Sequence, residues 1–499
     1  MYCKNCGCKV DQDNKFCPKC GNRIENNNIE KKKSRKKPWK GIFIALFLFV
    51  TVAGIIGVGI YKNLIDYSYL AVVRNEEGKY GYINEKGIEI ITCQYDIAYA
   101  FNTNGLAPVG KKVGINSYGK NLYKWGFINK AGELVIPMEY DDVEKLVEVG
   151  KLLGVAKQVD TDDEGNPVLK WGYINAEGKS MTEFKYSYAI SRWSKSGLCT
   201  VFALTEDYEL LYGVINQNGD EIIPVGKYHE IYLSNNGSGL IAAKKQIDLD
   251  ENAEPVYKWG FIDENDNEIL PFEYDEFTYW GDNDFIPVGK AGFNDEGKAV
   301  VKYGYINEKG MLIIPFQFEK VGGFSNHLAF VRDNYWEFNT GGYINENGEL
   351  VIPFEYDWGL PFDKNGIAIV SKWQEDEEKY GMINSEGEEI VPCLYDDITE
   401  PEFYYRSLPE ELNLYIVQNI KEGMEKYGCI RADGEEVVYV EHDMVTVGYN
   451  GWILLGDLVE GYDKNTDKYS YLEFVNERGE TVLELTEKYI YAEPFTKIN

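Results

Sequence analysis

Five of the nine cysteines in this 499-residue chain fall within its first twenty residues, in the run CKNCGCKVDQDNKFCPKCG. Cys3 and Cys6 make one CxxC pair, Cys17 and Cys20 make another, and each pair is followed by a glycine, Gly7 or Gly21. A CxxCG turn lets backbone amides face two sulfurs, and the glycine adopts the conformation that closes the knuckle. Two such knuckles supply the four thiolates of a tetrahedral Zn²⁺ site. With every coordination position filled by protein, the zinc would be structural, with no open site for catalysis. Two disulfides are the competing arrangement, and a reducing compartment disfavours them. A redox CxxC is a second alternative, but no βαβ pattern surrounds these residues. Cys8 stands outside the pairing, either as a spare thiol or as an alternative ligand to Cys6.

Residues 1–24 resemble the short zinc-ribbon domain found at the N-termini of many bacterial proteins, and the two CxxCG knuckles carry that resemblance. So few apolar residues flank the cysteines that the segment is expected to be unfolded without metal.

Other reactive groupings dissolve on inspection. Tyr95-Asp96, Tyr140-Asp141, Tyr274-Asp275, Tyr356-Asp357 and Tyr395-Asp396 recur in register. An acid–base enzyme needs one asymmetric pair with separated pKa values, so a recurring pair reads as a turn cap or a bond between repeats. His229, His327 and His442 also fall in register, and none pairs with a recurring serine or cysteine. Cys93, Cys199, Cys393 and Cys429 replace apolar residues of other repeats, so they read as small buried side chains with no disulfide between them. Acidic loops at 160–165, 263–268 and 374–379 do not follow an EF-hand spacing; a calcium shift in melting would be needed to make them binding sites. No catalytic residue is assigned, and the chain is expected not to be an enzyme.

Placement comes from charge and hydropathy. Residues 1–40 hold 12 Lys/Arg against 4 Asp/Glu, whereas residues 41–499 hold 39 against 78, a balance of −39. A surface that acidic disfavours nucleic acid and anionic lipid as partners of the larger part. Residues 41–61 form an uncharged apolar run that, as a helix, spans about 31 Å, the thickness of a bilayer core. Seven of the ten residues in the preceding stretch 31–40 are Lys or Arg. The positive-inside rule then keeps the N-terminus in the cytoplasm and sends residues 62–499 outside a cell membrane crossed once. The expected order is a zinc ribbon (1–24), a basic linker (25–40), a transmembrane helix in the lipid bilayer (41–61), a juxtamembrane stretch (62–68), β repeats (69–485) and a C-terminal tail (486–499).

The large outer part repeats, as in KYGYINEKG, KWGFINKAG, KWGYINAEG and KYGMINSEG. Nine anchoring glycines run from Gly81 to Gly428, a mean period of about 43 residues (347 residues over eight steps), with a weaker tenth copy around Asn476 and Gly479. The residue before the anchor is aromatic in eight of nine copies, and lysine precedes it in seven. In KWGFIN, Trp125 and Phe127 share one face of a strand while Ile128 points the other way, so neighbours must pack on both sides. Glycines such as Gly132 and Gly348, with Asp266 in one copy, fit a left-handed residue closing a hairpin. Proline eleven residues after the anchor in six copies suits a strand end or a sheet edge.

On these motifs the chain resembles the WG-repeat (KWG-repeat) family over about residues 69–485, and the resemblance implies no activity, because the shared residues look architectural. Three or four short strands per repeat imply an all-β array of about ten units, either a propeller-like ring or an open β-superhelix. The resulting expectation is a non-catalytic surface protein whose array binds an extracellular protein, peptide or glycan. One alternative is a transmembrane coupler that signals to a cytosolic protein partner through the zinc ribbon; a glycan hydrolase is the other. The glycine-rich usage and the zinc ribbon look bacterial.

Overall fold

Short apolar runs rich in Tyr, Val and Ile, each bounded by Asn, Asp or Gly, favour strands and tight turns over helices. The computed structural model describes residues 2–3, 5, 7–10, 16–20, 29–30, 68–145, 150–189, 193–234, 238–278, 284–293, 297–334, 337–338, 340–399, 413–421, 423–458, 469–485 and 488–498. It divides into two compact units, Met1–Leu64 and Ile65–Asn499. The expected transmembrane run 41–61, the basic stretch 31–40 and Cys6 lie outside the described residues. Among the described residues no helix is long and apolar enough to cross a membrane.

In the first unit Tyr2–Cys3 pairs antiparallel with Ile29–Glu30. Val10 and Cys17 are buried there, with Cys8 and Cys20 packed against them.

The second unit is ten antiparallel sheets in succession. Blade 2 shows the plan, with Ile97–Ala98, Leu106–Ile115, Asn121–Asn129 and Leu134–Tyr140 lying side by side in chain order. Blades 3 and 4 have three full strands each, and the bridges Trp171–Tyr186 and Tyr188–Phe202 stand in for the fourth. Phe127 packs forward with Val143, Val155 and Ile174 of blade 3, while Ile128 packs backward with Tyr82 and Ile91 of blade 1. Apolar side chains on both faces of one strand are thus used by two neighbours.

Among the described residues of this unit, ten apolar clusters each join two consecutive blades. An open superhelix of ten sheets would have nine such layers. The tenth joins Leu454, Leu472 and Phe474 of blade 10 to Ala71, Val73 and Ile83 of blade 1. The fold is therefore a closed ten-bladed β-propeller. Tyr491–Ala492 and Thr496–Lys497 pair with Tyr69–Arg74, so residues set apart by the sequence as a tail supply the first strand of blade 1. The prolines of the fourth strands, such as Pro137, Pro271 and Pro353, are exposed at the outer edge of their blades. There they remove a donor that would otherwise invite pairing with another chain.

Candidate functional site

Each recurring residue has a traceable structural task. A Cβ on Gly126, Gly304 or Gly342 would sit 2.5, 2.5 or 2.4 Å from the carbonyl oxygen of Ile136, Ile314 or Ile352. The ladder slips register at this point, for instance between Trp125 and Phe127, and brings the fourth strand's backbone over the glycine. The anchor is glycine for close approach, not for a left-handed conformation.

The hairpin glycines do take that conformation. Gly132 and Gly348 both have φ of 80°, and Asp266 has φ of 64°, as the sequence predicts. An asparagine three residues earlier closes the same turn. Asn129 Oδ1 accepts the amides of Ala131 and Glu133, both at 3.0 Å, and Asn345 does the same for Asn347 and Glu349. Sequence reasoning passed over these asparagines, although their constant offset from glycine is the signature of an Asx turn. Asp162 and Asp263, which the sequence offered to calcium, cap their own turns in the same way, Asp162 by accepting the amide of Asn166 at 2.7 Å. The third acidic loop turns tightly through Glu375 and Asp376, both at positive φ.

The recurring aspartate is a staple between blades. Asp141 accepts Lys124 Nζ at 2.7 Å from its own repeat and the amide of Gln158 at 2.9 Å from the next. Asp443 repeats this with Lys426 at 2.7 Å and Leu458 at 2.9 Å, as does Asp396 with Lys379 at 2.5 Å and Ile420 at 2.6 Å. Asp96 pairs with Lys79, and Asp275 with Lys258. Lys79 first, and then the Lys112 amide, hold the Asp96 carboxyl below its usual range. Burial raises Asp275 and Asp396, and their lysine and amide partners outweigh it, so both also end lower. Where His442 replaces the tyrosine of this pair, its Nδ1 lies 3.3 Å from Asp457. That contact, the largest influence, outweighs burial and raises the imidazole. His327 replaces a turn glycine, with φ of 64°, and contacts Glu346 at 2.9 Å.

Cys199, Cys393 and Cys429 are buried and Cys93 is half-buried, and none of the four is in a disulfide. Burial pushes Cys429 up to about 12 and Cys93 and Cys393 up to about 11. Thiols so far from ionisation are poor nucleophiles at neutral pH.

Two cavities run along the first strand of blade 10, Met444–Val447. One, about 320 Å³, lies against blade 9 and is lined by Asp397, Thr399, Gln418, Tyr427, Thr446 and Tyr469, among others. The second, about 270 Å³, gathers Tyr99 and Ala100 of blade 2, Lys145 of blade 3, Met444 and Thr446 of blade 10, and Tyr491, Glu493 and Pro494 of the closing segment. First strands of four consecutive blades can share one cavity only near the ring axis, so these strands are innermost. The anchor aromatics pack against them: Tyr99 stacks on Trp125 at 5.3 Å, and Tyr232 meets Trp259 at 5.6 Å.

A family model described as "WG containing repeat" matches residues 80–112, 125–151, 171–202, 212–246, 259–292, 303–335, 342–372 and 380–402. Residues 80–402 are WG repeats. The WG-repeat residues thus build blades 1 to 8, and the same strand plan continues through blades 9 and 10. None of the curated proteins compared matches the chain in sequence. Among solved structures it is similar to a eukaryotic initiation factor, at 9% identity and a TM-score of 0.43, covering 75% of this chain and 96% of that one. It is also similar to Porphyromonas gingivalis dipeptidyl peptidase 4, at 9% identity and a TM-score of 0.39, over 73% of this chain and 65% of that one. AztD from Citrobacter koseri matches at 10% identity and a TM-score of 0.30, over 86% and 96%. Likeness that low carries neither activity nor ligand to these WG repeats.

Outside the WG repeats, the described residues bring Cys8, Cys17 and Cys20 together. Cys8 Sγ lies 3.1 Å from Cys17 Sγ. That contact, first among several, pulls the Cys17 thiol down to about 6. Cys3 lies on the short strand Tyr2–Cys3. Among the described residues no group of three or more His, Cys, Asp or Glu side chains is arranged to hold a metal.

Proposed function

We propose that this chain is a non-catalytic binding scaffold whose ten-bladed ring of WG repeats engages a protein or peptide partner. One observation carries this reading: the residues that recur around the ring are consumed by its architecture. The lysines and aspartates staple blades, the asparagines cap turns, and the distal cysteines are buried or half-buried thiols. What varies from blade to blade is the inner surface, where aromatic and acidic side chains line the axial cavities. Recognition by a varying surface on an invariant ring is the use such arrays suit.

In this proposal residues 41–61 anchor the protein in a cell membrane, the basic stretch 31–40 keeps the N-terminus in the cytoplasm, and the propeller works outside. Cys3, Cys6, Cys17 and Cys20 would hold a structural zinc. The donor chemistry fits, since Cys17 and Cys20 already share one small core with a neighbouring thiol. Zinc would supply folding energy there and no reaction.

The test is cross-linking of intact cells with a membrane-impermeant reagent, followed by mass spectrometry of what residues 62–499 capture. A recurrent external partner is the expected result. No modification of residues 62–499 would overturn the topology, and turnover of a glycan by the purified protein would overturn the non-catalytic reading.

A further inference from the structure

The two axial cavities adjoin, because both are lined by Met444 and Thr446 of the same strand. Met444 packs toward blade 1 and Val445 toward blade 9, so the cavities flank this strand and meet over its inner edge as one groove. The groove therefore crosses the inner ends of blades 9, 10, 1, 2 and 3.

Its two halves differ in chemistry. The half between blades 9 and 10 has two carboxylates, Asp397 and Asp443. Asp443 is committed to the staple, with Lys426 at 2.7 Å and the Leu458 amide at 2.9 Å. Asp397 is half-buried, and its Oδ2 accepts Thr399 Oγ1 at 3.0 Å. Tyr427 and Tyr469 add two aromatic rings, Gln418 and Thr446 add neutral polar groups, and Ile416 and Val445 add apolar wall. A carboxylate in a lining shared with tyrosines and apolar residues suits a cation on an aliphatic stem. The other half is mostly apolar or aromatic, with Tyr99, Ala100, Met444, Tyr491 and Pro494, and Glu493 and Lys145 are its charged residues. A volume of about 320 Å³ lies at the bottom of the range for small-ligand sites and one of about 270 Å³ just below it, which fits one side chain in each half.

We propose that this groove binds an extended basic peptide of a partner protein, with an arginine or lysine side chain seated beside Asp397 and the adjoining apolar residue seated against Tyr99 and Tyr491. The net charge of −39 over residues 41–499 draws such a peptide toward the ring before contact is made. The assignment rests on the scaffold reading and names its site and the class of its ligand.

The test uses the full-length protein in detergent micelles and fluorescence anisotropy of a fluorescein-labelled tetra-arginine peptide, with labelled tetra-glutamate and free spermidine beside it. Asp397→Asn removes the carboxylate at nearly constant shape, and Thr446→Trp fills the groove. Glu251→Gln, at an exposed turn far along the chain, controls for net charge. The expected result is binding of tetra-arginine that weakens about tenfold in Asp397→Asn and in Thr446→Trp and less than about twofold in Glu251→Gln. Equal weakening by Asp397→Asn and Glu251→Gln would overturn the site, since general charge attraction would then explain the binding. Equal binding of tetra-glutamate, or competition by spermidine as strong as that by unlabelled tetra-arginine, would overturn the peptide assignment. No binding by the unaltered protein would overturn it as well. The scaffold reading stands or falls separately on capture of a partner in cells: a partner captured equally by the Asp397→Asn protein refutes the groove and leaves the scaffold.

Discussion

Consecutive blades of the propeller are joined by local parts, whereas blade 10 is joined to blade 1 by remote ones. At a local junction such as Asp141, the staple links groups 17 residues apart in the chain. At the closing junction Val73 pairs with Ala492 and Arg74 with Tyr491, supported by Asn450 Nδ2 donating to Glu85 at 2.8 Å and by Lys488 facing Glu89 at 3.5 Å. Val73 and Ala492 are 419 positions apart (492 − 73). Loop-closure entropy grows only logarithmically, so this separation costs about 3 kcal/mol more than a 17-residue one. Remoteness alone is therefore affordable. What the closing junction lacks is redundancy: local staples recur, and the closing strand occurs once.

The sharpest way to break the comparison is to delete residues 488–498. Blade 1 then loses its first strand and the ring loses its closure, and we expect the single cooperative thermal transition of the propeller to split or to fall by about 10 °C or more. An unchanged melt followed by circular dichroism would show that closure contributes no more than one local staple. Next in size is Gly304→Val, which forces a side chain against the Ile314 carbonyl; urea denaturation should show a loss of about 1–3 kcal/mol or more. Among the staples, Asp357 is the buried one, accepting the Trp373 amide at 2.6 Å with Arg332 4.0 Å away. Asp357→Ala should cost about 1–3 kcal/mol by leaving an amide without its acceptor, whereas Lys124→Ala should stay within about 1 kcal/mol because the Lys124 side chain is exposed and Asp141 keeps its amide partner. Equal effects of the two would place the staple's strength in the ion pair instead of the amide bond.

The smallest effects separate the junctions by pH. Asp96, Asp275 and Asp396 have lowered folded pKa values, so their stabilisation is complete above the unfolded value near about 4 and is lost as pH falls through the folded one. His442 has a raised value, so its stabilisation is complete below about 6.5 and is lost as pH rises through the folded value. Hydrogen-exchange protection, corrected for the intrinsic rate, should therefore fall at the Lys112, Ala291 and Ile420 amides in acid, and at the Asp443 amide, bonded to Asp457, as pH rises through the folded His442 value. The closing Glu493 amide, bonded to the Val72 carbonyl, should follow neither trend.

Much of the blade was legible from spacing because its rules are local. Gly132 and Asp266 announced left-handed turns, Pro137 announced an edge, and the Phe127–Ile128 alternation announced neighbours on both faces. The function of Asp141 was half legible: its recurrence argued for structure, but the amide it reaches belongs to the next blade. Closure was not legible, since Tyr491–Ala492 lacks the repeat's glycine signature and pairs across almost the whole array. The inner groove was equally hidden. Asp397, Thr446 and Tyr491 lie on short first strands of different blades, and only the ring brings them together.

The closing strand also sets an order on biogenesis. At about 5–20 residues per second, the ribosome completes residues 491–497 roughly 20–80 s after Tyr69–Arg74 emerges. For that interval the second strand of blade 1 keeps an unpaired edge, the kind of surface chaperones hold and proteases test. A chain truncated before Tyr491 would leave that edge open permanently, so the finished ring certifies that translation reached the closing strand.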